Sequence, residues 1–571
     1  MQSMSPPVRA KLMALLAIAF AIAALGYWVA RGHPQVVPEA VGDRIQCASY
    51  APYRKPGESP FKEETVVSEA RLLEDLTLLA ARTGCVRTYS VQQGLDAVPR
   101  VARSLGMKVM LGAWLGRDRL KNEAEVEKVI ALANQFPETV SAVIVGNEVL
   151  LRRELPEAVI AQYLQRVGRE TRTPVTYADV WEFWMQHRGL AEHVSFVTIH
   201  ILPYWEDHPL GIEVAIDHIV ATAQEMRKAF DGKDVLIGET GWPSAGRSRR
   251  EAVASRVNQA RFFRQFTQAA ADHNLRYNFI EAFDQPWKRR LEGAMGGQWG
   301  LFDSEGAAKF PASGPVAEDP RANRGLVAGA AGLLAFAMLA FFGGARRWQL
   351  LISGAMGIAC GAILMAQWQY MVVWNRFWTE WTATGAYTVA AVAFVLVALH
   401  AIRGRLLPGL QSATVPRGSR ATAVATAGEV PPARAVLSAW RSGRGMQGPL
   451  PWLGLLRLAF LFGGAAMTVL LVFDARYRGF PSMLYALPLM SLLLLLLAGF
   501  RTSVFDVEEA VLATLILACA LVFMPLERVS NLQSLVFGLQ MILFAGAATG
   551  FRYWRSSPWD EKPELSDHAG A

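Results

Sequence analysis

The chain has 571 residues, enough for three or four domains of average size, and 52% of them are hydrophobic while only 19% are charged. With a mean hydropathy of +0.21, this composition excludes a purely soluble protein and predicts membrane spans. The net charge of +8 does not indicate nucleic-acid binding, because much of the arginine excess lies between apolar segments. Four cysteines without a CxxC pair exclude a disulfide scaffold and a cysteine metal site.

The first apolar segment covers residues 12–30 and contains no charged residue. Arg9 and Lys11 precede it with no acidic residue before them, so the positive-inside rule places residues 1–11 in the cytoplasm. A cleaved signal peptide is the competing interpretation. The length of the segment, its Tyr27-Trp28 end and the lack of a small-x-small cleavage site favour a retained transmembrane anchor.

Residues 31–310 are polar and mixed and contain no span, and residues 311–324 read as a Pro/Ala/Gly linker. Residues 325–550 are predicted to form a multi-span α-helical membrane domain. The predicted spans lie near residues 326–344, 349–373, 385–402, 451–473, 482–500, 510–524 and 532–550. The segment 510–524 is the least typical of them, because it is short and ends at Pro525.

Loop charges give the expected orientation of these eight spans. The loop 403–450 carries seven arginines and one acid, Glu429, so it is predicted to be cytoplasmic together with the tail 551–571. The polar half then lies outside the membrane, which is the periplasm if the cell is Gram-negative. The chain is therefore expected to be a multi-pass protein of the cell inner membrane.

Eight short β-rich runs alternate with helical patterns in the polar half. They are residues 44–50, 85–90, 108–114, 141–147, 174–179, 195–202, 234–239 and 277–283. This count predicts an α/β fold, the (β/α)₈ barrel. A doubly wound sheet is the rival, but its first turn should carry GxGxxG, and none follows the early strands. Since Cys47 and Cys85 both lie inside predicted strands, we do not expect a bridge between them.

Two of these strands end in a glutamate. Glu148 follows the fourth strand and Glu239 closes the seventh. In a barrel the C-terminal strand ends form the active-site face, and strands four and seven lie across its mouth, so both carboxyl groups can face one cleft. Such a pair, with one group protonated and one ionised, suits glycoside cleavage. The alternative is that each glutamate is a structural carboxylate. Asn147 can hydrogen-bond a sugar hydroxyl.

The motifs VGNEV and GETGWPS together resemble glycoside hydrolase family 17, the β-1,3-glucanase family, over about residues 44–310. The resemblance implies that Glu148 is the acid/base and Glu239 the nucleophile of a retaining mechanism. RTY at 87–89 resembles the R-x-Y motif of the family after its second strand. FDQPWK at 283–288 and WGLF at 299–302 resemble its eighth-strand region.

One position departs from the plant-type members, which carry a glutamate and a lysine three residues apart in the last motif. Here Lys288 is present but Gln285 replaces the glutamate, which puts plant-like endo-hydrolysis in doubt. The whole layout resembles the membrane-anchored bacterial branch of the family. That resemblance implies remodelling or branching of β-1,3/β-1,6-glucans by transglycosylation.

Several further side chains are candidates for binding sugar. They are Arg87, Tyr89, Asn147, Trp114, Tyr204, Trp242, Trp287, Glu281, Asp284 and Lys288. Tyr204 and Trp242 are expected to reach the site, since they follow strands six and seven. Core packing is the alternative for each aromatic residue, as it is for Trp181, Trp184, Trp205 and Trp299.

Neither a metal nor a cofactor is expected. His200 and His208 are eight residues apart across a strand-to-loop change, which is poor ligand spacing, and no Walker A motif occurs. The pattern of processive glucan synthases, D…DxD…QxxRW, is not seen either, so polymerisation from a sugar nucleotide needs another protein.

Three functions remain open. The first is a retaining β-glucan transglycosylase, the second a β-1,3-glucan hydrolase with the same catalytic pair, and the third a non-catalytic glucan-binding membrane scaffold or export component. The spans can serve as an anchor in the lipid bilayer, as a surface for a separate membrane glucan synthase, or as a glucan conduit. Arg457 is the main charge within them, which weakens the conduit interpretation.

Overall fold

The computed structural model describes residues 5–42, 44–405, 428–443, 446–502 and 506–550. The tail predicted at 551–571, much of the loop predicted at 403–450 and the first four residues lie outside this range. The chain divides into two compact units, His33–Glu318 and a second made of Met1–Gly32 with Asp319–Ala571.

A closed barrel of eight parallel strands forms the described part of the first unit. The strands are β1 Ala48–Ser49, β2 Cys85–Arg87, β3 Lys108–Ala113, β4 Val140–Asn147, β5 Val175–Val180, β6 Val197–His200, β7 Val235–Thr240 and β8 Arg276–Phe279. Neighbours in sequence pair with each other, and Ala48 of β1 pairs with Phe279 of β8 to close the barrel. The predicted fold class is confirmed.

The helix α1, Pro6–Gly32, precedes the barrel, and the helices of the barrel unit follow its strands. These are α2 Glu69–Ala80, α3 Val98–Ser104, α4 Arg119–Gln135, α5 Glu157–Glu170, α6 Trp181–Gln186, α7 Ile212–Ala229, α8 Arg256–Asp272 and α9 Arg289–Glu292. Ser68, Asp118 and Ser255 start α2, α4 and α8, because their side-chain oxygens accept backbone N–H groups of the first turn.

Cys47 and Cys85 form a disulfide, so the expectation that they are not linked is wrong. Ala48 of β1 is in register with Val86 of β2, which places the preceding residues of the two neighbouring strands side by side with their Cα atoms 4.5 Å apart. Being inside strands therefore favours the bond here rather than preventing it. Both cysteines pack in a small apolar cluster with Met110, Ile144 and other residues of the barrel strands.

Part of the segment predicted as a linker, 311–324, is packed on the barrel unit. Gln35 and Val316 form an antiparallel bridge. The buried guanidinium of Arg264 in α8 donates to the carbonyl oxygens of Pro311 and Gly314, at 2.8 Å each. The first helix of the second part begins at Asn323.

The second unit is built mostly from apolar helices, together with one short helix that carries both polar and apolar residues. After α1 these are α10 Asn323–Phe342, α11 Arg347–Trp374, α12 Trp378–Arg405, α13 Ala433–Arg441, α14 Leu450–Phe473, α15 Ser482–Leu497, α16 Val507–Leu526 and α17 Leu532–Ala548, with a short parallel pair, β9 Glu429–Val430 and β10 Arg501–Thr502. By length and composition, six helices in the described residues can cross a membrane, and α15 and α17 are shorter. The segment judged least typical lies in α16, which has 20 residues and is one of the six.

A buried ion pair joins α14 to α16. Arg457 Nη2 lies 2.7 Å from Glu509 Oε2, and the side chain of Arg457 is 1% exposed. Arg457 also donates to the carbonyl of Pro431 at 3.3 Å, and the other Glu509 oxygen accepts the backbone N–H of Ala433. Arg457, the main charge among the predicted spans, is therefore paired with a carboxylate of opposite charge.

Candidate functional site

The chain leaves β4 through a turn that only a few residue types adopt easily. Gly146 has φ +89°, and Glu148 has φ +52°, the left-handed region that costs a non-glycine residue about 1–2 kcal/mol. A Cβ at Gly146 would lie 2.9 Å from Val149 Cγ2. The Glu148 N–H donates to Ala178 of β5 at 2.8 Å, which fixes the turn. The strained turn thus lies at the residue whose carboxyl group is the acid/base candidate.

Glu239 lies within β7 and accepts two hydrogen bonds. Arg87 Nη1 donates to its Oε1 at 3.2 Å and the hydroxyl of Tyr89 donates to the same oxygen at 2.8 Å. Arg87 also donates to the Gly238 carbonyl at 2.7 Å and, through Nη2, to Asn147 Oδ1. The buried guanidinium on β2 therefore connects the ends of β4 and β7. Arg87, Tyr89, Asn147 and Glu239, all site candidates, lie together.

The two candidate carboxyl groups are close. One oxygen of Glu148, one of Glu239 and a ring nitrogen of His200 all lie within 4.8 Å of one another. His200 Nδ1 is 2.9 Å from Glu148 Oε1, and His200 Nε2 is 3.7 Å from Glu239 Oε1. Sequence reasoning missed His200 as a site residue. Its position as the last residue of β6, at the functional end of a barrel strand, was the available signal.

The spacing of these three groups would suit a cation, but a fixed positive charge already lies among them. Arg87 pairs with Glu239 and its Nη1 is 3.4 Å from His200 Nε2. A guanidinium stays protonated in proteins, so it opposes a metal ion at this place. The absence of a metal stays a prediction.

Charges around Glu148 act in opposite directions on its acidity. Burial raises the pKa of Glu148, but the hydrogen bond and charge of His200, followed by the charges of Arg152 and Arg87, lower it by more, and its pKa falls below the ordinary value. Asp179 lies at the end of β5 and hydrogen-bonds Tyr177. Burial, helped by the charge of Glu148, raises the pKa of Asp179 to about 6 against that hydrogen bond.

At the end of β8, Glu281 and Lys288 form a buried pair. Lys288 Nζ donates to Glu281 Oε2 at 2.9 Å. Burial raises the pKa of Glu281 to about 7, although Lys288 opposes this. The side chain of Gln285 donates to the carbonyl of Ala51 at 2.7 Å and accepts from Trp287 Nε1. Lys288 has Gln285, and not a glutamate, three residues before it, and its ammonium group pairs with Glu281.

Glu292, in α9, is a second residue that sequence reasoning missed. Burial raises its pKa to about 7 against Lys288, and the charges of Glu148 and Glu239 add to the rise. A third carboxyl group thus feels the charges of the candidate pair. No motif marks Glu292, since its position depends on the loop that follows β8.

Two of the predicted aromatic residues lie in the core. Tyr204 and Trp242 are fully buried and pack edge to face, 5.6 Å between ring centroids. The Tyr204 hydroxyl donates to the Arg247 carbonyl, and Trp242 Nε1 donates to Val253 at 2.9 Å. Neither ring offers a face to a sugar, so the expectation that they reach the site is not compatible with the structure. Both follow strand ends, but Trp242 stacks on Phe262 of α8 and Tyr204 packs between Trp205, Trp242 and Trp299.

The remaining candidates differ in exposure. The half-buried ring of Trp114 lies under the guanidinium of Arg152, 4.2 Å from its centroid. Trp287 is half-buried and packs edge to face on the exposed ring of Phe61. Asp284 is buried and turned to Lys309, 2.6 Å away, and to the Gly300 N–H, so its contacts are those of a structural carboxylate.

Residues 47–300 match the sequence model of the BtgE/BtgC glycoside hydrolase domain. Over 235 residues the chain is 28% identical to a glucan 1,3-beta-glucosidase of Schizosaccharomyces pombe, covering 38% of this chain and 72% of that protein. A glucan 1,3-beta-glucosidase of Arthroderma benhamiae is 26% identical over 264 residues, covering 43% and 84%. A glycoside hydrolase family 17 beta-1,3-glucanosyltransferase of Rhizomucor miehei has a solved structure that is 24% identical with a TM-score of 0.42, covering 48% and 98%.

Proposed function

We propose that the barrel unit, which matches the BtgE/BtgC glycoside hydrolase domain, is a member of glycoside hydrolase family 17 and that the protein is a retaining β-1,3-glucan transglycosylase. Glu239 is the nucleophile that attacks the anomeric carbon, and Glu148 is the acid/base. The substrate is a β-glucan chain, in keeping with the glucan-cleaving relatives. New bonds are β-1,3 or β-1,6.

The observation that carries this proposal is the closeness of the two carboxyl groups, since one oxygen of Glu148 lies within 4.8 Å of one oxygen of Glu239. Retaining glycosidases hold their carboxyl groups about 5–5.5 Å apart, whereas inverting enzymes leave about 6.5–9.5 Å for a water molecule. A short separation supports direct attack by Glu239 and a covalent glucosyl-enzyme. Arg87 and Tyr89 donate to the attacking group and Asn147 lies beside it.

Each half of the reaction needs a different protonation state of Glu148. In the first, Glu148 gives a proton to the departing sugar oxygen while the Glu239–C1 bond forms. In the second, an acceptor hydroxyl gives its proton to Glu148, attacks C1 and releases Glu239 as a carboxylate. The low pKa of Glu148 in the free site suits the second half. A bound sugar displaces water and strengthens the burial effect, which favours the protonated form for the first half.

Product analysis of the purified full-length protein in detergent, given laminari-oligosaccharides, tests the proposal. We expect products longer than the donor, because a second sugar competes with water for the glucosyl-enzyme. Glucose and shorter chains alone would instead establish the hydrolase with the same catalytic pair.

Glu239→Gln tests the catalytic pair in the same assay. A neutral amide cannot act as the nucleophile, so we expect a loss of donor consumption of at least about 10⁴-fold, the lower end of what removal of one triad group costs. The control is Glu305→Gln, an exposed position on the same unit. Full activity of Glu239→Gln would overturn the assignment and leave the non-catalytic glucan-binding scaffold.

The barrel is proposed to lie outside the cytoplasmic membrane, in the periplasm of a Gram-negative cell. The Cys47–Cys85 disulfide supports this location, because such bonds persist in oxidising compartments. The helices long enough to span a membrane, and the basic loop between residues 403 and 450, support a multi-pass protein with that loop inside.

A further inference from the structure

His200 is the side chain in the described site that hydrogen-bonds Glu148 directly. Its ring is 0% exposed, and Nδ1 lies 2.9 Å from Glu148 Oε1. The other oxygen, Oε2, makes no hydrogen bond to the described residues. One oxygen of the acid/base is therefore held by His200, and the other is left for the substrate.

The backbone of β7 leaves room for this ring. A Cβ on Gly238 would lie 3.2 Å from His200 Cδ2, 3.3 Å from His200 Nε2 and 2.5 Å from Thr198 Cγ2. Any side chain at position 238 would thus press on the ring and on the strand that carries it. The glycine before Glu239 allows β6 and β7 to approach closely enough for His200 to lie between the two carboxyl groups.

The neighbours of the ring define which nitrogen carries hydrogen. Arg87 Nη1 lies 3.4 Å from His200 Nε2, and a guanidinium can only donate. This contact favours the tautomer in which Nε2 accepts and Nδ1 carries the hydrogen that is donated to Glu148. A donor aimed at a carboxylate stabilises its charged form.

Resting on the function proposed above, we propose that His200 is a positioning residue, which holds Glu148 as a carboxylate with one oxygen turned to the acceptor hydroxyl. In the step that forms the new glycosidic bond, the acceptor proton moves to Glu148, the acceptor oxygen binds C1 and the C1–Glu239 bond breaks. Nδ1–H of His200 stays in place throughout, so no proton leaves the ring.

Other charged or titratable groups surround Glu148 and His200. They are Arg87 on β2, Arg152 after β4, Tyr177 and Asp179 on β5, Glu239 on β7 and Glu292 on α9. The two arginines also favour the carboxylate, whereas Asp179 and Glu292 disfavour it. Replacing His200 leaves all of these groups unchanged, so the effect of His200 can be measured by itself.

The test is the pH dependence of kcat/KM for laminari-oligosaccharide consumption by the full-length protein in detergent. His200→Leu removes the donor, so Glu148 should stay protonated to higher pH, and we expect the alkaline limb to rise by about one pH unit. One unit corresponds to 1.36 kcal/mol, just below the roughly 1.5–3 kcal/mol of a hydrogen bond to a charged group. His200→Asn keeps an N–H near the position of Nδ1 and should stay within a few tenths of a unit of the wild type.

The same variants should also change how much covalent glucosyl-enzyme accumulates during the reaction. Because less of Glu148 is then present as the carboxylate that takes the acceptor proton, His200→Leu should slow the second half of the reaction, so intact mass spectrometry should show more glucosyl-enzyme than in the wild type. His200→Ala replaces His200→Leu if the larger side chain prevents folding.

Two results would overturn the inference. In the first, His200→Leu and His200→Ala lower kcat/KM equally at every pH and leave both limbs of the pH profile where they are in the wild type. In the second, the alkaline limb of His200→Asn moves as far as that of His200→Leu. Glu239→Gln, run alongside, separates the two proposals. If it is inactive while the limbs do not move, only the role of His200 fails, and if it is fully active the proposed function fails.

Discussion

Arg87 connects more of the site than either glutamate does. Its side chain is 1% exposed, and its donors reach Glu239, the Gly238 carbonyl and Asn147. A buried charge with partners on three sides is held in one orientation, and it holds those partners in return. The arginine thus sets where Glu239, the proposed nucleophile, and the side-chain amide of Asn147 lie relative to each other.

Arg87→Met should lower kcat/KM by about 10²-fold or more, because the buried Glu239 loses a charged donor and Asn147 loses its anchor. Steady-state consumption of laminari-oligosaccharides by the full-length protein measures this. Arg100→Met is the matched control, since Arg100 forms an exposed pair with Glu69. A variant at position 87 as active as this control would contradict the assigned role.

The sequence predicted the glutamates because a carboxylate at the end of an apolar strand is costly unless it has a use. It did not predict which way neighbouring side chains turn. Tyr204 and Trp242 also follow strands, yet their loops fold inward and bury both rings. Glu292 enters the site only because of a short helix after β8, and such local geometry has no sequence pattern.

At the scale of elements, each barrel strand was predicted within a few residues, because buried parallel strands form continuous β-branched runs. The disulfide was missed for a related reason. Whether Cys47 and Cys85 meet depends on the register between β1 and β2, and a one-residue shift would separate them. Strand position alone does not give that register.

The ion pair between α14 and α16 shows a similar limit of prediction from sequence. The sequence marked Arg457 as a charge within a span, but it did not indicate that Glu509 is its partner. Arg457→Leu should destabilise the helical unit by about 3–5 kcal/mol, because it leaves Glu509 buried without its cation. Thermal aggregation of the full-length protein in detergent measures this. The double variant Arg457→Leu/Glu509→Leu should recover most of the loss, since no buried charge remains.

Arg434→Leu provides the control, because Arg434 of α13 forms an exposed pair with Glu508 of α16, next in sequence to Glu509. It should change the aggregation temperature little. A double variant as unstable as Arg457→Leu would show that the pair matters through packing and not through charge.

At the scale of the whole molecule, the four cysteines fall into two classes. Cys47 and Cys85 are bonded, while Cys360 and Cys519 lie in helices of the second unit as free thiols. Because the bond closes a loop of 38 residues, its removal should cost a few kcal/mol in the barrel.

Maleimide labelling of the denatured full-length protein, isolated from cells without reductant, should therefore count two reactive thiols, and four after reduction. The variant Cys47→Ser should show three before reduction, since its former partner becomes free. Four thiols in the untreated wild type would contradict both the bond and the oxidising location of the barrel.

The linkage made by Arg87 has a consequence for how this enzyme can diversify. Arg87 of β2 hydrogen-bonds residues of β4 and β7 directly. These contacts do not involve the loop that carries Phe61 or the ring of Trp287. Exchange of the Phe61 loop between homologues should therefore leave the hydrogen bonds of Arg87 to Asn147, Gly238 and Glu239 intact. Natural variation can then accumulate in that exposed loop while the two candidate carboxyl groups keep their positions.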